Sequence, residues 1–185
     1  MVYNIMGSFF VKKNLLAAFL IFLPLCIFAL PFGYGSIKLG MSVDEVKSEL
    51  KKNSDFGYRG DRDVTLSPKT KQVLIETDAS RNPYSFFTRC WFQFVDEKLF
   101  SITLNLNSKK IDHFSIFSTL SEKYGNPTTI SPQRSSWEDS SVIMALEKPL
   151  TLKYIDAKAF KNIQDGSSVQ KTVEEKAAED FLSGL

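Results

Sequence analysis

The sequence predicts an α+β fold: an antiparallel sheet packed by two short helices, with helix and strands in that order twice, and a C-terminal helical tail. Three observations predict it. Two amphipathic segments each precede a group of short alternating segments. The strands adjoin one another, which favours antiparallel pairing. After Asp156 the composition changes to Ala, Lys and Glu. We therefore divide the chain into a signal peptide (1–35), an α+β domain (36–156) and a helical tail (157–185).

The N-terminal segment has the pattern of an export signal. Residues 14–30 form an uncharged apolar run directly after two lysines, and the small residues Gly33 and Gly35 follow it. We expect cleavage after Gly35 and a periplasmic or secreted protein. An inner-membrane anchor is the alternative, although the run is near the lower length limit for a membrane span and contains Pro24.

The two cysteines exclude an intramolecular disulfide in the processed protein, because Cys26 lies in the apolar run and only Cys90 lies downstream. Lipid attachment at Cys26 is an alternative to simple cleavage, since residues 23–26 loosely resemble a lipobox. The bulky Leu25 argues against it. Met6 offers a second possible start of translation.

Charge gives no indication of a nucleic-acid partner. The signal segment carries two lysines and no acid, so the rest of the chain has 21 basic and 21 acidic side chains. Binding of nucleic acid needs a concentrated basic surface, and a balanced chain does not predict one.

The first helix is predicted from its N-terminal signal. Ser42 suits the N-cap and Glu45, three residues later, completes a capping box. The apolar positions share one helical face: Val43, Val46 and Leu50. A polar loop over 56–63 follows, and then segments 64–66 and 72–76 form a hairpin around a Pro-containing turn.

The strongest strand pair runs over Tyr84–Val95 and Lys98–Leu106 and turns at Asp96-Glu97. Alternation with a period of two places Arg89 and Gln93 on the outer face. The same alternation predicts these buried positions: Phe86, Cys90, Phe92, Phe94, Phe100, Ile102, Leu104 and Leu106. Burial of these side chains is expected to supply the largest share of stability.

The second helix is predicted over Ser108–Tyr124 and ends at Gly125-Asn126-Pro127. Its inward positions recur every three or four residues: Ile111, Phe114, Phe117, Leu120 and Tyr124. Three strands are expected next, over 128–137, 142–146 and 150–155.

The tail is predicted to be helical over 157–182, with an interruption at 165–168. It carries a thin apolar stripe: Val169, Val173, Ala177 and Phe181. We expect the stripe to dock on the domain; the alternative is that it stays free for a partner helix or groove.

No residue pattern predicts a catalytic residue. His113 is the sole histidine and is expected to face solvent beside Asp112. No serine lies in a nucleophile elbow, and Cys90 lies among aromatic residues in a strand, where it is expected to act as a small core hydrophobe.

The sequence also predicts no metal and no cofactor. There is no Cys pair and no second His, so a transition-metal site is excluded. The loop over 58–63 contains Asp61 and Asp63, but its two arginines would oppose calcium, and we interpret it as a solvated turn. Its Arg59-Gly60-Asp61 tripeptide, known from integrin ligands, is interpreted as a chance match. No Gly-rich phosphate loop follows any strand.

The segment Ile37–Val46, IKLGMSVDEV, with Leu50 further on, resembles the opening of the outer-membrane-assembly lipoprotein BamE, also called SmpA or OmlA. The wider resemblance is to the fold of β-lactamase inhibitor protein. Such domains place a Gly-Met-Ser or Gly-Met-Thr turn before a short helix and a small antiparallel sheet. The family's Gly-x-Pro is missing after Leu50 but stands at Gly125-Asn126-Pro127, followed by Trp137, so the second unit is similar to another pass through the pattern.

The resemblance implies a non-enzymatic envelope module that holds another protein by its sheet or loops. We therefore predict an exported protein-binding module that contacts the membrane only through an uncleaved N-terminal segment. The alternatives are a secreted inhibitor that presents a protruding loop to a hydrolase, a membrane-anchored envelope protein, and an enzyme that uses carboxylates such as Glu138 and Asp139.

Overall fold

A computed structural model describes residues 29–67, 72–166 and 181–183, with only the backbone of Ser67. Residues 1–28 of the predicted signal peptide lie outside the described residues, whereas residues 29–35 are described. Three positions of the predicted tail stripe also lie outside the described residues: Val169, Val173 and Ala177. Cleavage of the signal peptide and docking of the stripe both stay predictions.

The described residues form ten strands and three helical segments longer than one turn. The strands are β1 Gly33–Tyr34, β2 Ile37–Lys38, β3 Asp63–Ser67, β4 Gln72–Asp78, β5 Phe87–Val95, β6 Lys98–Leu106, β7 Thr129–Ile130, β8 Arg134–Glu138, β9 Val142–Glu147 and β10 Thr151–Asp156. The helices are α1 Val43–Lys52, α2 His113–Tyr124 and α3 over 157–166, with a 3₁₀ turn at Ser54–Phe56. Residues 181–183 are also helical.

Eight strands form one antiparallel sheet in the order β3-β4-β5-β6-β10-β9-β8-β7, and β1 and β2 form a separate hairpin. We call α1 with β3–β6 the first unit and α2 with β7–β10 the second unit. The last strands of the two units, β6 and β10, pair in the middle of the sheet. The predicted α+β class, with helix and strands in that order twice, is confirmed.

The core lies between one face of this sheet and the helices α1 and α2. α1 begins with the predicted capping box: the Ser42 backbone N–H donates to Glu45 Oε2 at 2.7 Å, and the Glu45 N–H donates to Ser42 Oγ at 3.4 Å. Val46 and Leu50 are buried against the sheet. The local signal therefore placed α1 correctly.

The prediction for β5 and β6 was wrong at two positions. The register shifts between Phe87 and Arg89, so Phe87 is buried and Phe86 is 53% exposed. A second shift makes Phe100 the extra residue and buries Leu99. A β-bulge reverses which side chains face the core, and strict alternation cannot anticipate it. The other predicted core positions of the pair are buried, apart from the half-buried Leu106.

The second helix begins five residues later than predicted. Asp112 caps it by accepting the Ser115 backbone N–H at 2.8 Å. The buried stripe is centred on Ile116 and Leu120. Successive residues are roughly 100° apart around a helix, so Phe114, two positions before Ile116, lies on nearly the opposite side and is 74% exposed. Phe114 was wrongly predicted to face inward.

The strand predicted over 128–137 is a hairpin of β7 and β8. It turns at Ser131, whose N–H donates to the Arg134 carbonyl at 2.7 Å, so the second unit has four strands and not three. At the tail, residues 165 and 166 are helical, where an interruption was predicted to start. Phe181 is 69% exposed.

Candidate partner-binding groove

A groove lies on the sheet face that points away from α1 and α2, which we call the open face. Successive strands place matching side chains there: Gln93 is opposite Ser101, and Trp91 is opposite Thr103. Phe100, displaced outward by its bulge, completes the lining with Phe160 of α3. The groove encloses about 480 Å³ and is lined by Leu74, Trp91, Gln93, Phe100, Ser101, Thr103, Lys153, Ile155 and Phe160.

The large apolar side chains that the strands contribute to this groove are half-buried, whereas Phe160 of α3 is 42% exposed. Four of the nine lining residues are polar. Rigid neighbouring strands hold Trp91 and Leu74 in place, because β4, β5 and β6 are paired along their length. Gln93, Ser101 and Thr103 offer hydrogen-bonding groups between them. The arrangement provides an apolar surface with hydrogen-bonding groups interspersed.

The charges on the open face neutralise one another. Lys153 Nζ lies 2.7 Å from Glu147 Oε2. Towards the β3 edge, Arg62 Nη1 lies 3.0 Å from Glu76 Oε1 and Arg62 Nη2 lies 3.3 Å from Asp78 Oδ2. Hydrogen bonds from the hydroxyl and the backbone N–H of Ser80, with a contribution from Arg62, hold the pKa of Asp78 below its usual range. The groove therefore lies among paired ions.

A second, smaller groove of about 300 Å³ lies beside the start of α2. Its lining includes His113, Phe114, Phe117, residues 131–135 and Lys148. His113, predicted to face solvent, is half-buried in this lining, which among the described residues also includes Ser131 and Ser135 but no carboxylate. Sequence reasoning missed both grooves, because each combines segments that are distant in the chain.

A third feature is the loop over residues 79–86, which we call the aromatic loop because it exposes two aromatic rings. Tyr84 is 84% exposed and Phe86 is 53% exposed. Two hydrogen bonds attach the loop to the 3₁₀ turn: Asn82 Nδ2 donates to the Ser54 carbonyl at 3.3 Å, and Ser85 Oγ donates to the Asp55 carbonyl at 2.6 Å. These bonds hold Tyr84 in a defined position, although the sequence predicted it inside a strand.

The Phe86 ring extends the same exposed surface. Lys110 Nζ lies 5.4 Å from the centre of that ring, in a cation–π contact, and also donates to the Pro83 carbonyl. Lys110 thus ties the aromatic loop to the segment that precedes α2.

Glu138 and Asp139, the two acids of the enzyme hypothesis, form hydrogen bonds within the fold. Glu138 Oε1 accepts a hydrogen bond from Ser136 Oγ at 2.8 Å. Asp139 Oδ1 accepts the backbone N–H groups of Ser141 and Val142, at 2.7 and 2.8 Å, and so shapes a turn. Neither acid lines either groove in the described part of the chain.

Cys90 occupies the core as predicted. It has no exposed surface, and burial raises the pKa of its thiol to about 12. Such a thiol stays protonated at neutral pH and is a poor nucleophile.

The Asp61 and Asp63 pair is not brought to one site. Asp61 is exposed, whereas Asp63 Oδ2 accepts from the Tyr58 hydroxyl at 2.9 Å and lies 2.9 Å from Lys47 Nζ. Burial and the Asp63 hydrogen bond raise the pKa of Tyr58 to about 12. Over the ranges that the structure describes, no group of three or more His, Cys, Asp and Glu side chains is placed to hold a metal ion.

Among the described segments, no helix has both the length and the apolar character required to cross a membrane. Comparison with known proteins finds no matching curated protein and no matching solved structure. A family model, the TP0088 domain, matches residues 32–166, which is well over half of the chain. The match extends from β1 to the described end of α3, so the chain belongs to the TP0088 domain family.

Proposed function

We propose that this protein is an exported, non-enzymatic cell-envelope protein that binds another protein through the open face of its sheet. One observation carries the proposal: a groove of about 480 Å³ presents aromatic and aliphatic side chains on paired strands. Exposed apolar surface of this kind, rimmed by polar groups, is typical of sites where proteins associate.

The chemistry of the groove favours an apolar segment of the partner over a charged one. The Trp91 and Phe100 rings offer contact area, and Gln93 and Thr103 can bond to backbone groups of the partner. Because the nearest charges are already paired, attraction between opposite charges has little part in recognition. Binding should therefore change little when ionic strength rises from about 0.1 M to about 1 M.

Export and the envelope location rest on the sequence. The lysine pair followed by the apolar run over 14–30 supports a signal peptide. The Ile37–Val46 motif supports a distant relation to BamE or to β-lactamase inhibitor protein, and the repeated order of helix and strands agrees with that relation.

Photocrosslinking in the native cells tests the proposal. A photoreactive residue in place of Gln93 should capture an envelope protein, whereas the same residue in place of the exposed Lys51 on α1 should not. Trp91→Ala should abolish capture from position 93 without loss of the folded state, which circular dichroism monitors. Equal capture from both positions, or capture that survives Trp91→Ala, would count against the open face.

Inhibition of a secreted hydrolase is the second candidate function, and the aromatic loop favours it. A loop that is hydrogen-bonded to the domain and exposes the Tyr84 ring suits insertion of that ring into a cleft. If this function holds, Tyr84→Ala abolishes inhibition of a hydrolase that co-purifies with the protein, and Trp91→Ala has no effect. The opposite pattern would return the partner to the open face.

A further inference from the structure

The structure places residues upstream of Gly35 inside the folded domain. β1 pairs with β2, with Gly33 opposite Lys38 and Tyr34 opposite Ile37. The hairpin is also tied at its base, because the backbone N–H of Leu39 donates to the Phe32 carbonyl at 2.8 Å. Cleavage after Gly35, as the small residues suggest, would remove β1 and leave the Leu39 N–H without this acceptor.

The side chains of this segment pack on the first unit. The Tyr34 ring makes edge contacts with Phe56 and Phe87, with ring centres 6.2 and 5.4 Å away. Leu30 packs against the core cluster. Phe56 and Phe87 stack on each other, so loss of residues 30–35 would expose part of this aromatic pair.

Gly33, one of the small residues in the predicted cleavage motif, has a structural reason to be glycine. It is buried with a φ of +145°, and a Cβ atom there would lie 2.2 Å from the Ile37 carbonyl oxygen. Its small size is required by the hairpin, so it does not by itself indicate recognition by a peptidase.

We infer that the signal is cut between Ala29 and Leu30, so that the working protein begins at Leu30. Of the two small residues in the usual signal-peptidase motif, Ala29 supplies the one immediately before the cut, at the end of the apolar run. The family match begins at residue 32, just after this position. The inference rests on the export part of the proposed function. The step is hydrolysis: water adds across the Ala29–Leu30 amide, which leaves a carboxylate on Ala29 and a free amine on Leu30.

The test is the N-terminus of the full chain after expression in an exporting bacterium. Intact mass and N-terminal sequencing of the envelope fraction should give Leu30. A start at Ser36, an uncut N-terminal segment in the membrane, or a lipid-modified Cys26 would each overturn the inference.

A pair of variants separates the two cleavage sites by pulse-chase labelling. Ala29→Phe should cause the precursor to accumulate, whereas Gly35→Phe should be processed as the wild type is. The reverse result would assign the cut to Gly35. Since processing is measured before folding, an unstable variant does not obscure the outcome.

The same measurement separates this inference from the proposed function. A precursor that stays in the cytosol contradicts export and the inference together. An exported chain that starts at Ser36 contradicts the inference alone. A chain that starts at Leu30 but captures no partner supports the inference and leaves the protein-binding proposal without its main support.

Discussion

The two units of the sheet share one order of elements but cover their halves of the core differently. In the first unit, the 3₁₀ turn and the β1–β2 hairpin reinforce α1, and Phe56 stacks on Phe87 with ring centres 4.9 Å apart. In the second unit Trp137 packs against Phe117 of α2, with ring centres 6.0 Å apart, and its Nε1 donates to the Gly125 carbonyl at 2.8 Å. The aromatic contacts that close the two halves therefore differ: stacked phenylalanines in the first unit and a hydrogen-bonded indole in the second.

The connections between helix and sheet account for the difference. Residues 53–62 give the first unit a long link that folds back on the sheet, and Gly57 closes it against the backbone of Asp78. The second unit has only residues 125–128 between α2 and β7, so this connection does not reach back over the start of α2. The smaller groove, with Phe114 at its edge, lies there.

The largest expected effects come from removing one core ring in each unit. Phe92→Ala and Trp137→Ala should each lower the free energy of unfolding by about 3–5 kcal/mol, because both side chains are almost fully buried. Urea titration followed by circular dichroism measures the loss. Phe114→Ala, at a 74% exposed position, is the matched control and should change stability by less than about 0.5 kcal/mol.

The same titrations test whether the units unfold together. Pairing of β6 with β10 joins them into one sheet, so each variant should show a single transition. Two separate transitions would mean that the units unfold independently, as two domains do.

The next largest effect compares the glycines that close the two connections. Gly125→Ala should cost about 1–3 kcal/mol, because the residue has a φ of 80° but its Cβ would meet open space. Gly57→Ala should cost more, since its Cβ would also lie 2.3 Å from the Asp78 carbonyl oxygen. Equal losses in thermal or urea unfolding would show that backbone strain alone matters and that the Gly57 contact relaxes.

The sequence predicted the local features of both units well. Ser42 and Glu45 lie three residues apart, so their capping box depends on no distant contact. The stop at Gly125-Asn126-Pro127 is equally local. The bulges that exchange Phe86 for Phe87 and Phe100 for Leu99 depend on which partner strand shifts register, and alternation within one strand carries no such information.

The candidate site was harder to predict than the fold. The outward alternation that includes Gln93 also places Trp91 outside, and an aromatic residue on an outward face was the one local signal of the open-face groove. The groove itself requires β10 to lie beside β6, which brings Lys153 and Ile155 to Thr103 and Ser101. That neighbour relation is set by packing of the two units and is not encoded in any short segment.

Alkaline pH should reveal a deeply buried weak acid in each unit, Cys90 in the first and Tyr154 in the second. Burial raises the pKa of Cys90 in the first unit to about 12, and it also raises the pKa of Tyr154 in the second unit. A raised folded-state pKa means that the stabilising contribution is complete below the unfolded value, 9.0 for the thiol, and is lost as pH rises towards 12. Each group should cost up to about 1.4 kcal/mol per pH unit within its window.

Matched variants separate the two contributions. Cys90→Ala should flatten the fall in stability that starts near the unfolded thiol value, and Tyr154→Phe should flatten the fall that starts about one pH unit higher. Because each substitution also changes packing, the slope of stability against pH is compared rather than its absolute value. An unchanged slope in Cys90→Ala would show that the thiol already ionises in the folded protein.

The smallest effects concern the helix caps, which also differ between the units. Hydrogen bonds from the Ser42 backbone and hydroxyl lower the pKa of Glu45, and the Ser115 backbone and hydroxyl do the same for Asp112. A lowered folded-state pKa places the stabilising contribution above the unfolded value and removes it as pH falls through the folded value. The thermal midpoint should therefore fall in acid, from about pH 4 downward.

Asp112→Asn sharpens this last comparison, because asparagine keeps the N-cap geometry but cannot titrate. It should leave α2 intact at neutral pH and reduce the acid-dependent fall, while the capping box of α1 continues to titrate through Glu45. Ser42→Ala should instead cost about 1 kcal/mol at all pH values above 4, since it removes the acceptor for the Glu45 N–H. If Asp112→Asn loses as much stability in acid as the wild type, the cap of α2 contributes nothing that titrates, and the acid response belongs to the first unit alone.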